Sequence, residues 1–371
     1  MQPTSSNASE TRTQVTRTQG PFTFGLAAAA ACALVGTFAL STASAQKAPA
    51  PTPLELPLSI KVGQQFSLTA TTEEEKFRSG RLSLHALRSS TYDLSVDKRE
   101  ADRFVMTMTL RASSAKLIKD PTGRGAAQVA MANALLKALK AVPARFEVSG
   151  KGQLLRVLDW DTWSQKMADA TQQAILAAVK ARGTGDKALP PAAVSFATTF
   201  VKKAIKGHNE KSGLALLRPL PLMFGIQGIT LTPGKPLTQN REQFNPIGKR
   251  KLKTVRTITL APRKPDATEA RVAWTTSYDG EALKAASLNL VLSAIENAKV
   301  SKEELKAVKQ RFIQGFKRIV FEHTDNGEAS LALGDGWVRS LTVKSTLKSG
   351  PAGKLQTANR KRVTVTLTPK S

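Results

Sequence analysis

Five cations fall close together at Lys249, Arg250, Lys251, Lys253 and Arg256, and a second basic group follows at Arg360-Lys361-Arg362. Clustered guanidinium and ammonium groups attract phosphates and carboxylates by Coulomb force and release condensed counterions on contact. The first five are therefore the candidate anion-binding residues. The whole chain shares the bias, with 55 Lys and Arg against 28 Asp and Glu and a net charge of +27 over 371 residues. Base-stacking chemistry is missing beside it. Aromatic residues make up only 5% of the chain and none interleaves the first cluster, so nucleic acid is not an expected partner. Lipid headgroups at a membrane surface, or an anionic polymer of a cell envelope, fit the charge better.

Catalytic and metal chemistries need spacings that the chain does not supply. His85, His208 and His323 are isolated, and Glu322-His323 lacks the second histidine of an H-E-x-x-H site. A single cysteine excludes a disulfide framework and a zinc ribbon. Ser95-Val-Asp-Lys98 and Ser345-Thr-Leu-Lys348 match S-x-x-K, while Lys211-Ser-Gly213 and Lys348-Ser-Gly350 resemble K-T-G. Those pieces serve penicillin-binding serine acyl-transferases. Here both S-x-x-K matches fall on predicted strands, whereas that nucleophile opens a helix, and no S-D-N accompanies them. Gly228 to Lys235 approaches a phosphate loop, but Pro233 and Pro236 remove the N–H groups a phosphate would need. Asp159 and Asp161 are explained as helix caps. The chain reads as non-catalytic, with no cofactor and no metal.

Export is written at the N-terminus. An apolar run from Phe22 to Leu40 contains five consecutive alanines and closes on Ser41-Thr-Ala43-Ser-Ala45. Small residues at positions 43 and 45 fit the pockets of a signal peptidase, so residues 1–45 are expected to be a signal peptide cleaved after Ala45. The mature protein would be periplasmic or secreted, and would lack Cys32 with the rest of the run. Residues 46–53 (QKAPAPTP) read as a proline-rich linker. No later run approaches the length of a membrane-spanning helix.

The elements that follow alternate between two periods. Leu54, Leu56, Leu58, Ile60 and Val62 share one face of a predicted strand, with Pro57 confining it to an edge. Phe66 to Ala70, Tyr92 to Val96 and Phe104 to Leu110 alternate likewise, as do Ala270 to Tyr278, Trp337 to Leu347 and Val363 to Leu367. One apolar and one polar face per strand predicts antiparallel sheet. Helical spacing takes over at Met131 to Val142, Trp160 to Ala174, Pro191 to Gly207 and Glu281 to Ala298. Ser301-Lys-Glu-Glu304 is a capping box opening a helix whose Leu305, Val308, Phe312, Phe316 and Ile319 form an apolar stripe. The fold class expected is α+β, with curved antiparallel sheet from two strand-rich regions packed with a central helical region. Residues 54–371 are expected to form one intertwined domain, divisible into halves 54–207 and 208–371.

At the level of architecture this layout resembles envelope proteins in which a curved antiparallel sheet wraps helices and holds an apolar ligand, such as carriers of lipoproteins and lipids. The resemblance implies a sheet-lined apolar surface with a basic rim, binding an apolar or anionic amphiphilic ligand. Two other readings stand beside it. One is a structural or interaction protein of the envelope with a filled core and no small ligand, and the other is an unrecognised hydrolase.

Overall fold

Val363-Thr-Val-Thr-Leu367 shows how most of the chain folds. Successive side chains leave a strand on opposite faces, so Val365 and Leu367 are buried while Thr366 and Thr368 meet solvent. The computed structural model describes residues 53–370 apart from 56–57, 122, 124, 141, 182–204, 206, 245–250, 265 and 297–301. The expected signal peptide, nearly all of the linker and most of the predicted 191–207 helix lie outside the described residues.

A short β1 (Leu54–Glu55) is followed by a long meander of β2 (Gln65–Arg78), β3 (Arg81–Glu100) and β4 (Arg103–Lys119). Helix α1 (Gly125–Leu139) leads to the hairpin of β5 (Ala144–Ser149) and β6 (Leu154–Val157), and then to α2 (Trp160–Ala181). A 3-10 turn at Ser212–Leu216, a short α3 (Leu220–Phe224) and β7 (Thr230–Leu231) precede β8 (Leu237–Phe244), β9 (Lys251–Leu260) and β10 (Glu269–Tyr278). The helical hairpin of α4 (Gly280–Glu296) and α5 (Lys302–Lys317) comes next. A second meander of β11 (Ile319–Ala332), β12 (Val338–Pro351) and β13 (Gln356–Pro369) ends the chain.

Eleven of these strands form a single sheet in the order β6-β5-β4-β3-β2-β13-β12-β11-β10-β9-β8, every neighbouring pair antiparallel. The two strand-rich regions of the sequence are therefore halves of one sheet, joined where the C-terminal β13 pairs with β2, Val365 opposite Ala70. Adjacent strands lie ~4.8 Å apart, so a flat sheet would hold its outer strands more than ~40 Å from each other. Yet Val157 on β6 and Leu260 on β9 belong to one continuous buried cluster, with Leu237 of β8 packed against it. The sheet must curl to bring them together. It does not close, because β6 and β8 are not paired.

The segment after α2 fills the inside of one end. Val157 N–H donates to the Glu210 carbonyl on one side, and Gly234 N–H to the Leu260 carbonyl on the other, so residues 210–234 run from β6 to β9. Their Leu220, Met223, Phe224, Ile226 and Leu231 are buried against the sheet. Trp337, 1% exposed, is the keystone: its ring lies 4.5 Å from Phe66 of β2 and 6.0 Å from Phe224 of α3.

Two expectations are corrected. Of the predicted edge strand at 54–62, Leu54–Glu55 pairs with β7, whereas residues 58–62 form no strand. Leu58 and Ile60 are buried as the alternation required, but Ser59 N–H is held by the Asp335 carbonyl of a loop, not by a neighbouring strand. Phe312, placed on the buried stripe of its helix, is 42% exposed. Helix α5 packs on α4, and no described side chain of α5 is fully buried.

Candidate functional site

The inner face of the long strands changes character along their length. On β11 Leu331 and Ala329 enter the apolar core, and the same alternation continues inward with Gly327, Asp325 and His323. At Gly327 a Cβ would sit 2.1 Å from the Trp274 ring, which lies across it. Asp325 and His323 make the next stretch of the inner face polar, before Phe321 and Ile319 return it to carbon.

Asp325 is the hub. The Tyr278 hydroxyl from β10 and the Ser345 hydroxyl from β12 both donate to it, and His323 Nε2 lies 3.1 Å from its Oδ1. The imidazole stacks on the Tyr278 ring at 4.2 Å, nearly parallel. Burial alone would raise the carboxyl's proton affinity, but the bonds from His323, Ser345 and Tyr278 outweigh it and hold its pKa below the usual value. Burial first, and then the Asp325 charge, push the Tyr278 hydroxyl up. Serine and histidine both bond to the aspartate here. A nucleophilic triad needs the histidine between the other two, so that relay is not formed.

Around this hub lie cations with no ion-pair partner among the described residues. Lys361 projects from β13, Arg241 from β8, Arg256 from β9, and Arg218 follows the 3-10 turn. Burial and the nearby Arg218 bring the Lys361 ammonium down to about 8, partly offset by the Glu74 carboxylate. Glu74 itself is committed elsewhere, at 3.0 Å from Arg88 and 3.1 Å from the Asn359 amide. Its pKa is lowered because Lys76, Asn359 and Arg88 together outweigh the effect of burial. The Asn359 Oδ1 is buried with no partner.

Arg256 is the most enclosed of these cations, only 6% exposed. Its Nη1 donates to the Gly225 carbonyl at 2.8 Å, its guanidinium covers the Trp274 ring at 4.8 Å, and its Nε is buried without a partner. Burial and the neighbouring Arg241 bring it down to about 10. Arg241 shares the same carbonyl at 3.4 Å. Two guanidinium groups thus crowd one backbone oxygen, with no carboxylate paired to either.

The apolar wall meets this region at Arg218. A cavity of about 70 Å³ lies between β3, β4, α1 and α2, bounded by Tyr92, Met108, Leu110, Trp163 and Met167, with Arg218 at its edge. Chemically, the inner face offers hydrogen-bond donors and positive charge for an oxyanion, beside carbon surface.

Strand alternation divides the five candidate residues. Lys249 and Arg250 lie outside the described residues, and Lys251 opens β9. Lys253 is exposed on the outer face, whereas Arg256 turns inward in phase with Leu252, Ile258 and Leu260. The second cluster divides the same way, with Arg360 and Arg362 exposed and Lys361 turned inward in phase with Val363, Val365 and Leu367. Charge density thus hid a signal carried by parity. A polar side chain that keeps step with buried apolar residues marks the inner face, and Lys361, Asp325 and Tyr278 could have been found that way. Arg218 lies on no strand, and nothing in its sequence neighbourhood marks it. His85, by contrast, pairs with Glu73 at 2.8 Å on the outer face.

No protein-family model matches this chain, and no curated protein matches it. Several solved structures overlap it loosely, among them the following two. One, of lipid–protein interactions in lipovitellin, has 10% identity and a TM-score of 0.37, covering 84% of this chain and 26% of its own. The other, an outer membrane channel from Pseudomonas putida F1, has 6% identity and a TM-score of 0.19, covering 84% of this chain and 97% of its own. This chain therefore spans about a quarter of lipovitellin. Neither overlap transfers an activity, and the site itself must carry the function.

Proposed function

We propose that this is a non-catalytic protein of the cell envelope, exported and freed from its signal peptide, that binds an amphiphile with an anionic head. The observation that carries the reading is the unpaired charge on the inner face. Lys361, Arg218, Arg241 and Arg256 lack ion-pair partners among the described residues, and burial lowers the proton affinity of Lys361, Arg241 and Arg256. Enclosing a cation without an opposite charge costs several kcal/mol in folding. An anionic headgroup would relieve that cost, with its apolar part against the wall that begins at Arg218, Tyr92 and Met108.

Native mass spectrometry of protein isolated from its own envelope tests this. The expected result is a bound species of reproducible mass, removed by organic extraction and depleted in an Arg256→Gln, Lys361→Gln double variant. A spectrum showing the bare chain alone would overturn it.

The second reading, a structural protein with a filled core, is favoured by one measurement. The apolar cavity of about 70 Å³ is far below the 300 Å³ or more that a lipid-sized ligand fills. Binding therefore requires α1 or α2 to move away from β4. A ligand-free protein whose α1 amides exchange as slowly as those of β4 would favour the structural reading.

A further inference from the structure

The hairpin of α4 and α5 leaves the sheet between β10 and β11 and is under-buried for its composition. Helix α4 reads Gly280-Glu-Ala-Leu-Lys-Ala-Ala-Ser-Leu-Asn-Leu-Val-Leu-Ser-Ala-Ile-Glu296, apolar on nearly every side. A helix of that kind belongs in a core or against lipid. Here every residue from Ala282 to Leu288 is only half-buried. Helix α5 has the opposite pattern, a narrow apolar stripe on a cationic rod. Leu305, Val308, Ile313 and Phe316 are half-buried, and Phe312, near the middle of that face, is 42% exposed.

The packing explains the exposure. Asp279 caps α4 by accepting from the N–H groups of Glu281 and Ala282, and α4 rests on β11. Helix α5 is attached through α4 and, at one end of its apolar stripe, through Phe316 against Phe321 at 6.3 Å. Nothing described covers the remainder of its apolar face. Lys306, Arg311 and Lys317 are exposed around it. That combination, an open apolar stripe flanked by cations, is the pattern of a helix lying in a membrane interface with its apolar side among the acyl chains.

We propose that the α4–α5 hairpin docks the protein on an anionic lipid bilayer, with Phe312 entering the interface and the flanking cations contacting headgroups. Charge selects this occupant over a second copy of the chain, because two molecules of net charge +27 repel each other. Docking differs from spanning: among the described residues no helix is long and apolar enough to cross a membrane. The proposal does not depend on a ligand inside the sheet, since Phe312 and the cations beside it belong to α5 and not to the strands that carry Arg256, Asp325 and Lys361.

Co-sedimentation with phosphatidylcholine vesicles, with and without 30% phosphatidylglycerol (a chosen, roughly envelope-like charge), provides the test. The full chain is expected to bind only the anionic vesicles and to be released as salt rises. Phe312→Ser should weaken binding about fivefold or more without unfolding the protein, because the ring is already largely exposed. Lys306→Gln, Arg311→Gln and Lys317→Gln together should weaken it by at least about tenfold. A control triple on the outer sheet face, Lys344→Gln, Arg360→Gln and Arg362→Gln, should leave it within about twofold. Equal losses in the two triples would overturn the proposal in favour of unspecific charge attraction. A Phe312→Ser variant that binds vesicles normally but converts a dimer to a monomer in sedimentation would overturn it in favour of self-association.

Discussion

The two ends of the inner face are made by the same strands under the same alternation, yet they differ in what covers them. At one end β2, β11, β12 and β13 present Leu68, Leu331, Leu341 and Leu367 to residues 210–234, and these four leucines are at most 3% exposed. At the other end the same strands present Glu74, Asp325, Ser345 and Lys361, with no comparable plug over them among the described residues. The lesson is that alternation fixes which face a side chain takes. The segment that returns to meet that face decides whether it is core or site.

The sharpest break of the comparison lies in the plugged end. Trp337→Ala removes the ring joining Phe66 to Phe224, and is expected to lower stability by ~3–5 kcal/mol in urea denaturation. A loss below ~1 kcal/mol would mean that the plug is not packed as a core. At the polar end the largest effect should come from the hub. Asp325→Ala strands the Tyr278 and Ser345 hydroxyls, and is expected to cost ~1–3 kcal/mol by the same measurement. The Asp325 carboxyl titrates below its usual value, so its contribution is present above the ordinary carboxylate range and is lost as pH falls through the folded value.

Lys361 sharpens the contrast in the opposite direction. Its ammonium titrates at about 8 in the folded protein against 10.5 for the unperturbed group. Between those values the unfolded chain holds the proton and the folded chain does not, so stability rises with pH across the window. Lys361→Met should therefore stabilise the protein at pH 7, by about 1–3 kcal/mol, and lose that advantage above pH ~10.5. Melting curves from pH 7 to 11 read this directly, and a flat difference would place Lys361 in water. Binding of an anionic amphiphile should also weaken above pH 8 as this charge is lost. The smallest effect belongs to Phe312→Ala, expected to change stability by less than ~1 kcal/mol because the ring gains little from folding.

Much of the fold was legible because strand and helix periods are local. Val363 to Leu367, Ala270 to Tyr278 and the helix from Trp160 need only their own neighbours to be read. Phe312 failed for a related reason: helical spacing defines a stripe but says nothing about whether a partner covers it. The 54–62 segment shows the same limit, since its alternation marked Leu58 and Ile60 as buried but could not show that a loop would take the place of a strand. The candidate site was less legible. Arg256, Asp325 and Lys361 lie on three different strands and are aligned only by register, with Thr276 between the first two and Ser345 between the last two. Arg256 was found for its charge, although its place in phase with Ile258 and Leu260 is what turns it inward.

The pairing of β13 with β2 joins two strands nearly 300 residues apart at the centre of the sheet, with Asn359 opposite Lys76. During synthesis the first meander can form early, but its β2 edge stays unpaired until the final fourteen-residue strand has emerged. Contacts between residues so far apart in sequence form slowly, because a long loop must close before they stabilise anything. A ribosome-bound chain is therefore open along its middle until β13 is made, an accessible substrate for a holding chaperone. Loss of the last strand would leave two half-sheets with facing raw edges, prone to pair with other chains. Completion of the sheet is thus timed by β13.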